Sequence, residues 1–288
     1  MEGVLTRSVL LIGGTGTLGK ALLDQLDVSD CVVFSRDELK QHELRHKYPG
    51  LKTVLGDIRS PESLNKAMEG IKTVFHVAAL KHVDVLEENP EEAYATNIVG
   101  TINSAQAAIK HGVREFYFTS TDKAVLPINV YGMTKAISER YLLHLNQNGP
   151  FSTQFNVFRW GNIVGSRGSA VNLFAKTLKE KNKVYITDRR MTRFWMRIED
   201  AVNYMLTFKG DNTRVNYPDM KAAPVLDMAT AIADVLGIKK FDVEVVGIRP
   251  GEKLHECLHS DHQQCIRSDN SPRLSLEELK HLVEPIVG

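Results

Sequence analysis

Thr119-Ser120-Thr121-Asp122-Lys123-Ala124, followed closely by Tyr131-Gly132-Met133-Thr134-Lys135, places a hydroxyl, a carboxyl, an amine, a phenol and a second amine within fifteen residues. These are groups that move protons. A free phenol titrates near about 10, so it needs a nearby cation to act near neutrality, and Lys135 lies one helical turn beyond Tyr131. Asp122 and Lys123 add a carboxyl and an amine side by side, an acid and a base in the same place. A polar loop with a chance Tyr-x-x-x-Lys would need no function at all. What argues against chance is the setting. Residues 115–120 (EFYFTS) are short, aromatic-rich and apolar and read as a buried strand, while from 133 to 145 Ala136, Tyr141, Leu142 and Leu145 fall near one face of a helix. The polar groups therefore sit at the carboxyl end of a strand and on the next helix, where open α/β sheets bind ligands.

A second constellation lies at the other end of the chain. An apolar strand, Ser8-Val9-Leu10-Leu11-Ile12, runs into Gly13-Gly14-Thr15-Gly16-Thr17-Leu18-Gly19 and then a helix through Leu22, Leu23 and Leu26. The spacing Gly13-x-x-Gly16-x-x-Gly19 allows a tight turn, close approach of backbone to a pyrophosphate and close packing of helix on strand. The helix start then offers free N–H groups and a positive dipole end to the anion. A glycine motif in this strand–turn–helix setting reads as a dinucleotide site.

The kind of dinucleotide depends on the end of the second strand, Cys31-Val32-Val33-Phe34-Ser35-Arg36. An acidic side chain there holds the ribose 2′-hydroxyl of NAD, and an arginine accommodates the 2′-phosphate of NADP. Ser35 and Arg36 hold these positions, with Lys40 a turn further on, so the expected cofactor is NADP; Asp37 leaves NAD as the alternative. Asp57 and Ile58, after a third strand at 52–55, are placed to bracket an adenine ring.

Strands and helices alternate from residue 8 to about 159, the pattern of a doubly wound parallel sheet, with a fourth strand at 74–77, a long helix at 91–109 and a sixth strand at 155–159. After Trp160 the rhythm changes to longer polar connections and helices at 171–178, 198–208, 225–236 and 275–283. The expected fold is thus α/β: residues 1–160 bind the dinucleotide and residues 161–288 form a smaller C-terminal substrate-binding lobe, with interleaved segments. With 288 residues, 43% hydrophobic and 25% charged, the chain has ample material for a core. A net charge of +1 gives no electrostatic reason to expect nucleic acid or an anionic membrane. No apolar run is long enough to span a bilayer, the first residues lack a secretory h-region, and three cysteines suit a reducing compartment, so a cytoplasmic location is expected.

The chain resembles the extended short-chain dehydrogenase/reductase superfamily, with its Rossmann-like sheet, and within it the UDP-N-acetylglucosamine 4,6-dehydratases of the C5-inverting type. The resemblance covers nearly the whole chain. It rests on Ser35-Arg36-Asp37-Glu38-Leu39-Lys40, Ala78-Ala79-Leu80-Lys81-His82-Val83, Ser120-Thr121-Asp122-Lys123-Ala124, Tyr131-Gly132-x-Thr134-Lys135, Arg159-x-Gly161-Asn162, Met191-Thr192-Arg193-Phe194-Trp195 and Gly247-Ile248-Arg249-Pro250-Gly251-Glu252-Lys253. The C-terminal part is shorter than in typical members and residues 214–224 match loosely. Long membrane-anchored relatives often carry Met where this chain has Tyr131, which aligns it with the short soluble branch.

The resemblance implies a set of roles. Tyr131 takes the proton of a sugar 4-hydroxyl as hydride leaves C4, with Lys135 favouring the phenolate and Thr121 bonded to the same oxygen. Once C4 is a ketone the C5 proton is acidic; Asp122 is the expected acid at the C6 oxygen and a neutral Lys123 the expected base at C5. Retaining dehydratases carry an Asp-Glu pair here, so the lysine fits inversion. Ala78, Ala79 and Lys81 are expected at the cofactor. Lys81, His82, Asn97, Asn162 and Glu252 are expected at the substrate, UDP-N-acetylglucosamine, with Arg193 and Arg249 as clamps for its pyrophosphate. A homo-oligomer, a dimer or larger, is expected as in relatives. Two other readings stay open: a UDP-sugar 4-epimerase or C5-retaining dehydratase, and a non-catalytic NADP-binding sensor. His255, Cys257, His259, His262 and Cys265 invite a zinc reading, but the cysteine spacing suits neither finger nor ribbon, and no metal is expected.

Overall fold

The computed structural model describes residues 8–261 and 263–288. The first half runs β1 (Val9–Ile12), α1 (Thr17–Leu23), β2 (Cys31–Ser35), α2 (Glu38–Lys47), β3 (Lys52–Leu55), α3 (Pro61–Ala67) and β4 (Thr73–His76). It continues through α4 (Val83–Glu88), α5 (Pro90–Ala93), a π-helical turn at Tyr94–Val99, α6 (Gly100–Lys110), β5 (Glu115–Thr119), a short 3-10 turn at Asp122–Ala124, α7 (Val130–Asn148) and β6 (Gln154–Phe158). The second half holds β7 (Asn162–Ile163), α8 (Ala170–Lys181), β8 (Lys183–Ile186), β9 (Thr192–Met196), α9 (Ile198–Leu206) and β10 (Val215–Asn216). It ends with β11 (Ala222–Pro224), α10 (Val225–Val235), β12 (Asp242–Val245), β13 (Cys257–Ser260), β14 (Cys265–Arg267) and α11 (Leu276–Val287).

The doubly wound parallel sheet is present, with seven strands in the order β10-β6-β5-β4-β1-β2-β3. The chain starts in the middle, winds out to β3 and returns to β4 on the other side of β1. That reversal opens a crevice at the carboxyl ends of the strands. Both faces of the sheet are covered, as its apolar strands require. Leu10, Ile12, Phe116 and Phe118 enter one core, and Leu11, Val33, Phe75 and Phe158 enter the other, following the alternation of a pleated strand.

The helix expected at 91–109 is interrupted by the π-helical turn, which no periodicity announces. The seventh strand, β10, was also not expected: two residues carry too little pattern to be recognised, and they complete the sheet from well beyond residue 160. Ala201, Val202 and Met205 of α9 likewise pack with Leu22 and Leu23 of α1. The four expected helices of the second half are present, while its short strands form three small sheets, β11-β9-β7, β12-β8 and β13-β14. Phe174, Leu178, Ile232 and Leu279 make the centre of a separate core there. Among the described residues, no helix is long and apolar enough to cross a membrane.

One buried ion pair ties the halves together. Arg159, at the end of β6, forks onto Glu139 of α7 at 3.1 and 2.6 Å, and its third nitrogen donates to the Leu258 carbonyl of β13 at 2.7 Å. Removing one partner leaves the other charge buried alone, which costs about 3–5 kcal/mol. Arg159→Met is therefore expected to lower the unfolding free energy in urea by about that amount, and a loss below about 1 kcal/mol contradicts this account of the pair.

Candidate active site

The crevice is a cleft of about 930 Å³ with the glycine loop at one end and the polar turn after β5 in its middle. Gly13 has a φ of +86°, and a Cβ there would stand 2.7 Å from the Ala78 backbone, so only glycine lets the loop lie against the segment after β4. Gly16 caps α1 with no side-chain bond, which leaves the first N–H groups of the helix to a ligand. Gly13, Gly16, Thr17, Leu18 and Gly19 line the cleft, whereas Thr15 is buried. The bare backbone fits a dinucleotide pyrophosphate.

At the end of β2, Arg36 reaches the cleft, 3.6 Å from the Asp57 carboxylate. Asp37 caps α2 by accepting from the Lys40 N–H at 3.0 Å, and its other oxygen takes the Lys40 ammonium. Both side chains are thereby turned to each other. Ser35 is buried, its hydroxyl accepting from Gln41 at 3.1 Å. Asp57 is held by Arg59 at 2.7 Å, and Ile58 is buried in the core beside α6.

The catalytic set expected after β5 converges. Gly132 lets α7 start directly on the turn, since a Cβ there would stand 2.1 Å from the Lys123 carbonyl oxygen. Asn129 caps α7 by accepting from the Gly132 N–H at 2.7 Å and donates to the Gly251 carbonyl at 2.8 Å. Thr121, Lys123, Tyr131 and Lys135 line one wall of the cleft. Asp122 does not; it is fully buried behind the wall, where a Cβ on Gly161 would stand 3.1 Å from its Oδ2. Its Oδ1 accepts from Thr121 at 3.0 Å and from Lys123 at 3.1 Å, so those two residues link it to the cleft.

The charges differ from expectation in two ways. Lys123 also stands 3.2 Å from Glu256, a buried carboxylate on the strand-like approach to β13. Burial works against the Lys123 charge, but Asp122 and Glu256 outweigh it and hold the ammonium above the usual lysine range. The neutral amine expected there is not the resting state. Burial pushes the Asp122 carboxyl up, and Lys123 pulls it down less than burial raises it. Secondly, burial drives the Tyr131 phenol up to about 12, and the cation that opposes this is Lys123, helped by a bond with Thr121. Lys135 sits over the Phe118 ring, 4.1 Å from its centroid. Desolvation there drops Lys135 to about 7, although Glu139 partly restores it, and the same burial with the nearby Lys135 charge lowers His76 to about 3.

The other expected residues divide. Lys81, His82, Asn162, Arg249 and Glu252 line the cleft, with Lys81 donating to the Arg167 carbonyl at 2.9 Å. Asn97 does not face it: its amide clamps both backbone groups of Leu80 at 2.9 Å and donates to Thr134 at 3.1 Å, so it positions the loop after β4. Arg193 also lines the cleft; it is largely buried there and donates to the carbonyls of Thr192, Lys253 and Leu254, so it anchors that chain segment at the cleft wall. Ala78 packs against Gly13, and Ala79 lines the cleft. Glu256 is the residue the sequence reading missed. It ends the stretch Gly251-Glu252-Lys253-Leu254-His255-Glu256, where only Glu252 was singled out. Of the histidine–cysteine group, His262 lies outside the described residues. His255 bonds Thr192 at 2.8 Å and His259 bonds Asp261 at 2.8 Å, and no three ligand-type side chains meet among the described residues.

Residues 9–276 match the family described as polysaccharide biosynthesis protein. A UDP-N-acetylglucosamine 4,6-dehydratase (inverting) of Campylobacter jejuni is 40% identical over 88% of this chain and 78% of its own. A UDP-glucose 4-epimerase of Rickettsia canadensis is 37% identical over 91% of this chain and 80% of its own. Among solved structures, Pen from Bacillus thuringiensis superposes with a TM-score of 0.86 at 33% identity, covering 96% of this chain and 97% of that one. A dTDP-glucose 4,6-dehydratase from Streptomyces venezuelae, at 20% identity and a TM-score of 0.79 over 96% and 95% of the two chains, shares the fold.

The site carries a direct test in Lys135. With 13Cε-labelled lysine, one signal absent from Lys135→Met is expected to titrate near pH 7, charged below and neutral above. A midpoint above about 9, close to that of an ordinary lysine, contradicts the desolvated placement.

Proposed function

The chain belongs to the polysaccharide biosynthesis protein family, and on that premise we propose that it is an NADP-dependent nucleotide-sugar 4,6-dehydratase acting on UDP-N-acetylglucosamine with inversion at C5. The observation that carries this reading is the buried Asp122–Lys123–Glu256 cluster opening onto the same wall as Tyr131. A bound nicotinamide dinucleotide supplies the hydride acceptor and later the donor. The rest is the work of side chains. Tyr131 Oη takes the proton of the 4-hydroxyl, and the Lys123 charge with the Thr121 bond pulls the high phenol toward phenolate. At the 4-ketone stage Lys123 Nζ takes the C5 proton after passing its own to a carboxylate behind it. A proton from Asp122 goes to the C6 oxygen through Thr121 or Lys123, the C6–O bond breaks, and water leaves. Lys123 then returns a proton to C5. Over the cycle Tyr131 gains one proton and Asp122 loses one, and exchange with solvent resets both.

NADP is favoured because Asp37 is engaged as a helix cap and by Lys40, while Arg36 faces the cleft. Arg249, Glu252 and Asn162, which also line the cleft, suit the nucleotide end of the substrate. The Rickettsia relatives give a second reading, a UDP-sugar 4-epimerase. That reaction needs the tyrosine but gives the buried cluster no task.

Mutants separate the half-reactions. Tyr131→Phe is expected to form no reduced nicotinamide on adding UDP-N-acetylglucosamine, whereas Lys123→Met is expected to form it more slowly, because the Tyr131 phenol loses its cation, and then to stall at that stage. Loss of a general acid–base group typically slows a step by about a hundred- to ten-thousand-fold, which single-turnover absorbance and mass spectrometry resolve. Normal dehydration by Lys123→Met contradicts the dehydratase assignment. For the cofactor, calorimetry is expected to give tighter binding of NADP than NAD, with Arg36→Ala eroding the difference; equal affinities in the intact protein contradict it.

A further inference from the structure

Lys123 presents its ammonium at the cleft wall with two carboxylates behind it, Asp122 Oδ1 at 3.1 Å and Glu256 Oε1 at 3.2 Å. Both are almost wholly buried, at 0% and 2% exposure, and each keeps one oxygen, Asp122 Oδ2 and Glu256 Oε2, with no hydrogen-bond partner among the described residues. Lys123 is the cation the two carboxylates share, and among the described residues Asp122 has no other within ion-pair distance, so in this low-dielectric site its ionised form is the less supported of the two. Like-charged carboxylates that share a site do not both ionise readily, so one of them holds a proton.

The surroundings decide which one. Glu256 lies 3.8 Å from the Arg193 guanidinium and 3.9 Å from the Lys253 ammonium in addition to Lys123. Asp122 has Lys123 alone within ion-pair distance among the described residues, and Arg193, Lys253 and the Tyr131 hydroxyl act on it only from further away. Glu256 is also fixed in place. Its N–H donates to Ser268 Oγ at 3.0 Å, Ser268 bonds the Thr192 hydroxyl at 2.7 Å, and Arg193 holds the carbonyls of Lys253 and Leu254 at 3.0 and 3.2 Å. Such support for a buried carboxylate that lines the cleft and meets Lys123 at 3.2 Å points to a task there.

We propose that Glu256 is a positioning residue of the elimination site: by taking over the Lys123 ammonium it lets Asp122 hold the proton that the leaving oxygen needs. An isolated Asp122–Lys123 pair would ionise both groups and supply neither an acid nor a base. With Glu256 present the trio stays neutral as acid, ammonium and carboxylate, and the opposing directions of Asp122 and Glu256, raised and lowered, agree with that division. When Lys123 gives up its proton, Glu256 is the ionised carboxylate 3.2 Å away that takes it, so the free amine needed at C5 arises through the same residue. The inference rests on the dehydratase reading for its purpose and on the geometry alone for the place of the proton.

The test has two arms on the whole protein. In substrate-free protein with 13C-labelled aspartate carboxyls, the signal absent from Asp122→Asn is expected to titrate above the ordinary value of about 3.9. Glu256→Gln is expected to lower that midpoint by about one unit or more, a tenfold or greater rise in acidity, because only the competing charge is removed. Glu256→Asp, which keeps the charge, is expected to stay near the wild type, and if the glutamine variant fails to fold the wild-type Asp122 midpoint alone decides, a value at or below the ordinary one overturning the proposal. An unchanged midpoint in Glu256→Gln, or an Asp122 signal already ionised in the wild type below the ordinary value, overturns the proposal. In the second arm, Glu256→Gln is expected to reduce nicotinamide normally with UDP-N-acetylglucosamine, to lose about a hundredfold in elimination at neutral pH, and to recover toward acid pH. An equal loss at every pH marks a merely structural role and also overturns it. A wild-type protein that leaves the sugar unchanged overturns the dehydratase reading, while the titration arm still decides where the proton sits.

Discussion

Because Gly132 has no side chain, the first turn of α7 lies on the backbone of the turn that ends β5, with the Lys123 carbonyl where any Cβ would stand. That seat sets the distance between the two groups of reacting side chains, Lys123 on the turn and Tyr131 on the helix. The remaining bonds hold it. Asn129 closes the helix start and ties it to Gly251, Ser138 donates to the Asn97 carbonyl at 2.9 Å, and Glu139 locks the middle of α7 to Arg159. Each of these polar side chains is buried and satisfied, so movement of α7 would strand several at once.

Two lysines twelve positions apart, Lys135 buried and Lys123 partly so, then behave in opposite ways, and their neighbours explain it. Lys135 lies on an aromatic ring with one carboxylate at a distance and loses much of its hold on a proton. Lys123 bridges two carboxylates and holds its proton more firmly. The same kind of side chain thus becomes a weak or a firm holder of a proton according to what it packs against.

Much of this was legible in the sequence wherever local pattern and chemistry coincide. The glycine loop follows a strand and opens a helix, so its conformation could be read from spacing, and the Thr121 to Lys135 set announced itself at a strand end. The misreadings share a physical origin. Asn97 looks like a ligand binder because polar side chains are what ligands need, but the buried backbone groups of Leu80 need one as much, and Arg193, which does line the cleft, donates to backbone carbonyls for the same reason. Glu256 is remote by more than 130 positions from Lys123 in the chain and reaches it through the packing of the approach to β13, which no local pattern encodes. β10 was missed because two residues cannot display alternation.

The central claim is that this cleft oxidises, dehydrates and reduces one sugar without net use of cofactor. The most direct measurement is NMR of the product formed from UDP-N-acetylglucosamine in deuterated water with catalytic NADP. The account predicts a 4-keto-6-deoxy sugar with deuterium at C5 and inverted configuration there, and no accumulation of NADPH. A 4-epimer with hydrogen retained at C5, or recovery of unchanged substrate, would contradict it.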